Sequence, residues 1–388
     1  MSMRAYRTAL ALFFLTIALA SCGKAGPAAI QSHISAVQAV GGSGGAGFAK
    51  ATEPRTFSFP RDHGAHQQYA TEWWYYTGNL AAEDGRRFGY QLTFFRFGLG
   101  PQLPQRASAW AAGNVYMAHL ALTDVAGNTF HAYERFSRDG AGLAGASGEP
   151  QFRVWLDDWS AEGQGQAGLP MRLRAAQGAV ALDLTLEGGK PVVLEGPGGV
   201  SQKSATPGNA SYYYSYTRMP TQGSITLDGQ QIAVRGSSWF DREFGTSALE
   251  PGASGWDWFA IQLDDGRDLM VAQIHRADGT PMFAAGTLVA QDGTPSYLTM
   301  DDITITATST WQSQRSGARY PSAWRILVRS AQIDLAVTPA IPDQELPLTV
   351  TYWEGATSVE GSAAGQPVRG QGYTELTGYG EQGQLQLR

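Results

Sequence analysis

Apolar and polar residues alternate with a period of two along most of this chain. The stretches AVALDLTLEGG (179–189), ITITATSTW (303–311), RILVRSAQIDLAV (325–337) and LPLTVTYW (346–353) each put every second side chain on one face, as half-buried strands require. Asp-Gly pairs at Asp84-Gly85, Asp228-Gly229, Asp265-Gly266 and Asp292-Gly293 punctuate the pattern and predict tight hairpin turns. After the N-terminal segment no run of 12 residues reads as a helix. The prediction is an antiparallel all-β architecture of barrels or sandwiches.

Two hairpins begin alike. WWYYTGNLAAEDGRRFGYQLTFFR (73–96) and WDWFAIQLDDGRDLMVAQIHR (256–276) each open on tryptophans, run into a strand and turn at Asp-Gly. This echo predicts two related β domains with a boundary near 240–250, assigned as 53–242 and 243–388. The 48 glycines, 11 tryptophans and low charged fraction of 16% fit a turn-rich β protein. A net charge of −6 without a basic stripe argues against nucleic acid as a partner.

The first residues read as an address. Arg4 and Arg7 precede ALALFFLTIALA (9–20), which is too short to span a bilayer comfortably. LASC (19–22) then resembles a bacterial lipobox with Cys22, the sole cysteine, as the lipidated residue; an ordinary signal peptide with a chance cysteine is the alternative. The expectation is a lipoprotein signal peptide over 1–21 and a Gly/Ala/Ser-rich tether over 22–52. Gly23 follows the cysteine, which implies sorting to the outer membrane, lipid-anchored and facing the periplasm. A formal G-x-S-x-G around Ser43 lies in the glycine linker, which cannot form the strand-to-helix elbow that motif needs.

The stretch SSWFDREFG (237–245) carries the most pointed chemistry. In a strand, Trp239, Asp241 and Glu243 face one way and Phe240 and Arg242 the other. Two carboxyls beside an indole, away from water, raise one carboxyl pKa, and a carboxyl kept neutral can donate a proton. Nearby ring faces can stabilise a carbocation. The alternative is a structural Asp–Arg–Glu cluster joining the domains.

Other candidates are aromatic. In EWWYY (72–76), Glu72, Trp74 and Tyr76 share a face opposite Trp73 and Tyr75; Tyr212, Tyr214 and Tyr216 share one face of the next aromatic strand. Either set could line a ligand or pack a sheet. Trp256 and Trp258 share a face opposite Asp257, and Glu354 and Glu375 are placed to point inward beside aromatics. His63 and His66 suit a metal site or a hydrogen-bonded turn; His119 and His275 sit within apolar strands, as core or catalytic groups. GQGQAG (163–168) leads into a strand-like segment, so it carries no dinucleotide reading.

Six motifs in order, DHGAH…TEWWYYTGNL, MAHLALTD, WFDREFG, GWDWFAIQLDDG, YWEG and GYTELTGY, resemble the carotenoid 1,2-hydratase and AttH family from about residue 55 to the C-terminus. The resemblance implies two lipocalin-like antiparallel β-barrels packed side by side and a hydrophobic ligand. It places the acidic position on Asp241, with Trp239 beside it, and the preceding aromatic strand on Tyr212 and Tyr214. The expected catalytic set is therefore Asp241, Glu243 and Trp239. The expected ligand wall is Tyr212, Tyr214, Trp74, Tyr76, Glu72 and Trp258. No cofactor and no metal is called for. The expected function is an envelope lipoprotein that binds a hydrophobic or amphipathic molecule, as a hydratase-, lyase- or hydrolase-like enzyme using a buried acid. The alternative is a non-catalytic lipid carrier working with an ABC-type permease.

Overall fold

The computed structural model describes residues 45–102, 108–165, 167–247 and 249–380. Cys22, the expected signal peptide (1–21), Ser43 and most of the expected tether (22–52) lie outside the described residues, as does Gln166 of GQGQAG.

The alternating segments form two antiparallel sheets. The first holds β1 (Thr71–Ala82), β2 (Arg87–Gly98), β3 (Asn114–Asp124), β4 (Thr129–Arg138), β5 (Ala144–Ser147), β6 (Arg153–Leu156), β7 (Trp159–Gly163), β8 (Met171–Gln177), β9 (Val180–Leu186), β10 (Val193–Leu194), β11 (Val200–Gln202), β12 (Ala210–Leu227) and β13 (Gln230–Gly245). The second holds β14 (Gly255–Leu263), β15 (Asp268–His275), β16 (Pro281–Val289), β17 (Pro295–Thr299), β18 (Ile303–Gln312), β19 (Arg319–Val328), β20 (Ile333–Pro339), β21 (Glu345–Pro347), β22 (Thr351–Ala363) and β23 (Gln366–Leu376). Strand β13, which carries the expected boundary at 242/243, continues to Gly245, and the second sheet begins at Gly255.

Each of the four Asp-Gly pairs named above closes a hairpin, with the glycine at positive φ: Gly85 at 87°, Gly229 at 81°, Gly266 at 85° and Gly293 at 92°. A side chain is strained in that region, which is why the turns select glycine.

The two sheets repeat one connectivity. The first runs β4-β3-β2-β1-β13-β12 and on to β9; the second runs β17-β16-β15-β14-β23-β22 and on to β20. In both, the first strand pairs with its hairpin partner and with the last strand of its own sheet. The first sheet curls until β6 packs against β2, β3 and β4, and in the second β16 comes beside β18. This is the expected all-β, lipocalin-like pair of barrels.

Each barrel fills its interior with its own side chains. Trp74, Tyr76, Tyr214, Phe240 and Trp159 belong to the first core, and Phe259, Trp324 and Trp353 to the second. A third cluster of Tyr75, Tyr213, Trp239, Trp258, Ala260 and Met270 lies between the sheets. Contact there is close: a Cβ on Gly89 of β2 would stand 2.4 Å from the Ala356 Cβ of β22, so only glycine permits this approach. Lys190 clamps the sheets together. Its ammonium donates to the Gly266 and Ala290 carbonyls at 2.7 and 2.9 Å and lies 2.8 Å from the Asp268 carboxylate.

Candidate functional site

Strand β13 has two faces with different duties. The first is structural. Arg242 points into the first barrel, stacked 4.0 Å from the Trp74 ring, and its guanidinium donates to Glu72 and, at 2.6 Å, to the Gly64 carbonyl. Arg96 donates to the other Glu72 oxygen, and the His66 backbone N–H donates to Glu72 at 2.8 Å. Burial alone would raise the Glu72 pKa, but the two guanidinium groups outweigh it and hold the carboxyl far below the ordinary range. Arg242 thus pins Glu72, not Asp241 or Glu243, and the Asp–Arg–Glu cluster is not formed.

The other face of β13 looks toward the second sheet. Asp241 and Glu243 line a cavity of about 170 Å³ between the sheets. Trp73, Tyr75, Phe95 and Met117 supply one wall; Trp256, Trp258, Met270 and Phe283 supply the other. Its more exposed rim is Ser201, Gln202, Lys203, Ser247 and Leu249. A cavity of this size matches one that admits a benzene-sized group, about 150 Å³.

The register explains which rings face it. Tyr75 stands directly across from Asp241, and Trp73 across from Glu243. On the opposite side, Ser215 and Tyr213 are the partners of Asp241 and Glu243. The odd-numbered residues of these three strands therefore share the cavity face.

Several expected site residues lie elsewhere. Trp74, Tyr76, Tyr212 and Tyr214 face the interior of the first barrel and belong to its packed core, because they have the opposite parity from the cavity-lining set. Glu72 is held in the ion network behind them. They do not line this cavity; Trp73, Tyr75 and Tyr213 take that place. Trp258 lines the cavity, whereas Trp239 is not among its lining residues and supports Asp241 through its indole N–H. His63 contacts the Tyr214 hydroxyl through Nδ1 at 2.7 Å, and burial pushes its pKa down to about 3. His66 instead contacts Asp62 at 3.0 Å and stacks on Phe244, so the two histidines have separate partners.

Among the described residues no lysine or arginine lies within ion-pair distance of Asp241. The Trp239 indole N–H donates to its Oδ1 at 2.7 Å. Ser215 Oγ lies 2.5 Å from the same oxygen and 2.9 Å from Glu195 Oε1. One hydroxyl carries one proton, so Ser215 donates to one carboxyl and accepts from the other. A protonated carboxyl is thus built into the geometry. Burial pushes Asp241 well above the ordinary aspartate range, the Glu195 charge adds to that, and the Ser215 and Trp239 hydrogen bonds offset only part. Glu195, fully buried, is pushed up to about 7, chiefly by burial. Glu243 differs: Lys203 lies 2.8 Å from its carboxylate and Ser211 donates to it at 2.5 Å. Its charge is matched at the rim.

The second sheet contributes carboxyls of its own. Glu354 and Glu375 are direct partners across β22 and β23. Tyr75 and Gln91 donate to Glu354 at 2.9 and 3.2 Å, and the Trp256 indole donates to Glu375 at 2.8 Å. Only Glu375 of the two reaches the cavity. Burial pushes Glu375 up to about 7 and, together with the Glu375 charge, pushes Glu354 well above its ordinary range. On the same wall, His119 Nδ1 lies 2.7 Å from the Tyr352 hydroxyl, and both residues line the cavity.

Glu195 and Ser215 were not singled out from the sequence. Glu195 ends the apolar run Val192-Val193-Leu194, and a lone carboxyl in such a run is the signal that marks it.

Comparison with known proteins agrees with the fold. A family model described as AttH-like matches residues 50–379. The solved structure of the AttH protein NE1406 from Nitrosomonas europaea superposes with a TM-score of 0.77 at 34% identity, covering 86% of this chain and 100% of that one. Kievitone hydratase from Nectria haematococca shares the fold, with a TM-score of 0.65 at 16% identity, covering 85% of this chain and 96% of that one. Kievitone hydratase from Fusarium solani subsp. phaseoli is 24% identical over 204 residues, which is 51% of this chain and 57% of that protein. The chain belongs to the AttH-like family.

Proposed function

We propose that this protein is a hydratase that adds water across a carbon–carbon double bond at the apolar end of a hydrophobic or amphipathic molecule, with Asp241 as general acid. The observation that carries the reading is Asp241 itself, a dry carboxyl without a cationic partner among the described residues that faces a cavity walled by rings. The kievitone hydratase relatives support it.

The chemistry follows from the neighbours. Trp239 and Ser215 fix the Asp241 Oδ1 edge and Tyr213 is a further partner of the carboxyl; the proton delivered to substrate is assigned to the second oxygen. Protonation of an alkene carbon leaves a cation on its neighbour. The faces of Trp73, Tyr75 and Trp258 surround that charge with negative quadrupole density. Water then adds, and the reverse sequence is dehydration. The substrate's acceptor end is short and branched, because about 170 Å³ holds little more; the rest of the molecule leaves past the rim.

Incubation with unsaturated lipids in ¹⁸O-water, followed by mass spectrometry, tests the activity. The wild type should yield products carrying one labelled water. Asp241→Asn should yield none yet still co-purify with the same ligand; turnover that survives this change removes Asp241 from the mechanism. The lipobox-like LASC supports anchoring of the enzyme in the cell envelope through Cys22, and Cys22→Ser should then release it from the membrane fraction.

A further inference from the structure

Hydration needs two proton transfers, one to carbon and one from water, and Asp241 accounts for the first. We propose that Glu375, paired with Glu354, is the general base that takes the proton from the attacking water; this rests on the hydratase reading above.

The repeated connectivity of the sheets is the first support. On the last strand of each sheet a carboxyl stands directly opposite a ring of the first strand: Asp241 opposite Tyr75, and Glu375 opposite Trp258. Both reach the one cavity from opposite sheets. Each also has a proton partner behind it. Asp241 has Ser215 and Glu195; Glu375 has Glu354.

The second support is the wiring of the pair. Neither carboxyl has a lysine or arginine within ion-pair distance among the described residues. Two facing carboxyls without a cation hold one proton between them. Glu354 is fully buried and anchored by Tyr75 and Gln91, whereas Glu375 opens to the cavity and is aimed by the Trp256 indole. Glu354 keeps the proton and Glu375 keeps the lone pair that faces substrate.

The step balances without a cofactor. The Asp241 O–H bond breaks as the alkene π pair forms a C–H bond. A water lone pair forms the C–O bond to the resulting cation. The water O–H bond then breaks and its proton goes to the Glu375 carboxylate. Glu375 loses that proton to solvent at the rim, Glu195 passes its proton through Ser215 to Asp241, and a proton from solvent returns to Glu195, so the count closes.

A five-carbon trisubstituted alkene, 2-methyl-2-butene, fits the cavity and separates the two transfers. In D₂O enriched in ¹⁸O, the wild type should place deuterium in recovered alkene, through reversible protonation, and ¹⁸O in the tertiary alcohol. Glu375→Gln should lower alcohol formation by about 10²–10⁴-fold while deuterium exchange persists; the amide oxygen still accepts from Trp256, so the fold is kept. Alcohol formation at the wild-type rate in Glu375→Gln overturns the assignment and leaves Asp241 standing. Loss of both labels in the wild type removes the hydratase reading itself.

Glu354→Gln probes the positioning residue. The groups facing the pair are Tyr75, Tyr352, Tyr373, His119, Asp241 and Glu243; the protonated Glu354 donates to the Glu375 carboxylate and holds it down, so exchanging that donor for a weaker amide should move the lower limb of the rate profile to higher pH. Infrared difference spectra between wild type and this variant read the shared proton without any alkene. A protonated-carboxyl band at neutral pH should vanish in the variant. Asp241 gives a carboxyl band of its own in both proteins, so if the difference spectrum shows no lost band, the pair holds no proton and the proposal fails.

Discussion

Glu195→Gln should make this protein more stable, and only in the upper part of the pH range. Glu195 is 1% exposed, and among the described residues its Oε2 has no hydrogen-bond partner and no cation forms an ion pair with it. Burial raises its pKa from 4.5 to about 7. Below pH 4.5 the folded and unfolded chains both hold the proton, so the group contributes no difference. Between that value and about 7, only the folded chain holds it, and stability falls as pH rises by about 1.4 kcal/mol per pH unit. Across the interval this amounts to about 3 kcal/mol, a large share of the ~5–15 kcal/mol typical of a folded domain. A glutamine has no proton to lose, and its amide can still bond Ser215. Urea titrations at pH 4, 6 and 8 should show matching midpoints at pH 4 and a variant more stable by about 3 kcal/mol at pH 8. Parallel curves at every pH would mean that Glu195 is ordinarily ionised in the folded protein. The Glu195–Ser215–Asp241 proton relay would fall with it.

Other outcomes follow from the same contacts. Arg242→Met leaves Glu72 with Arg96 as its one guanidinium partner and should cost about 3–5 kcal/mol in urea unfolding; a loss under about 1 kcal/mol would contradict the pin. Because Glu72 is held below its ordinary range, the stability it supplies is present above that range and is lost as pH falls; the acid-unfolding midpoint of Arg242→Met should therefore move to higher pH. Ala285→Leu on β16 projects into the cavity and should weaken binding of 2-methyl-2-butene by at least tenfold, about 1.4 kcal/mol, with little change in melting temperature. Lys190→Met should destabilise the contact between sheets by several kcal/mol, since Asp268 then keeps Arg218 as its one cation among the described residues, beside the Thr217 hydroxyl; an unchanged melting temperature would show that the clamp is dispensable.

The alternation in the sequence carried the fold. Period-two segments became strands, and the Asp-Gly pairs at 84, 228, 265 and 292 became hairpins. It also separated Trp239, Asp241 and Glu243 from Phe240 and Arg242. What it could not decide was which face a ligand would meet. In a sheet packed on both sides, both parities are apolar: Trp74 and Tyr76 fill a barrel while Trp73 and Tyr75 meet the other sheet. No local property of EWWYY distinguishes these burials, so the choice rests on tertiary packing. Glu195 was hidden for a related reason. Its partner Ser215 comes from β12, whose register with β10 is set by the fold rather than by neighbouring residues.

The cavity is small and has an open rim, which has a consequence for recognition. Such a receptor examines the tip of a guest and leaves its tail in the open. Molecules of very different length would then count as the same substrate if they end alike. Selectivity would depend on how the last few carbons branch, so swapping side chains at the inner end should change the guest list, whereas changes at the lip should alter only the speed of entry.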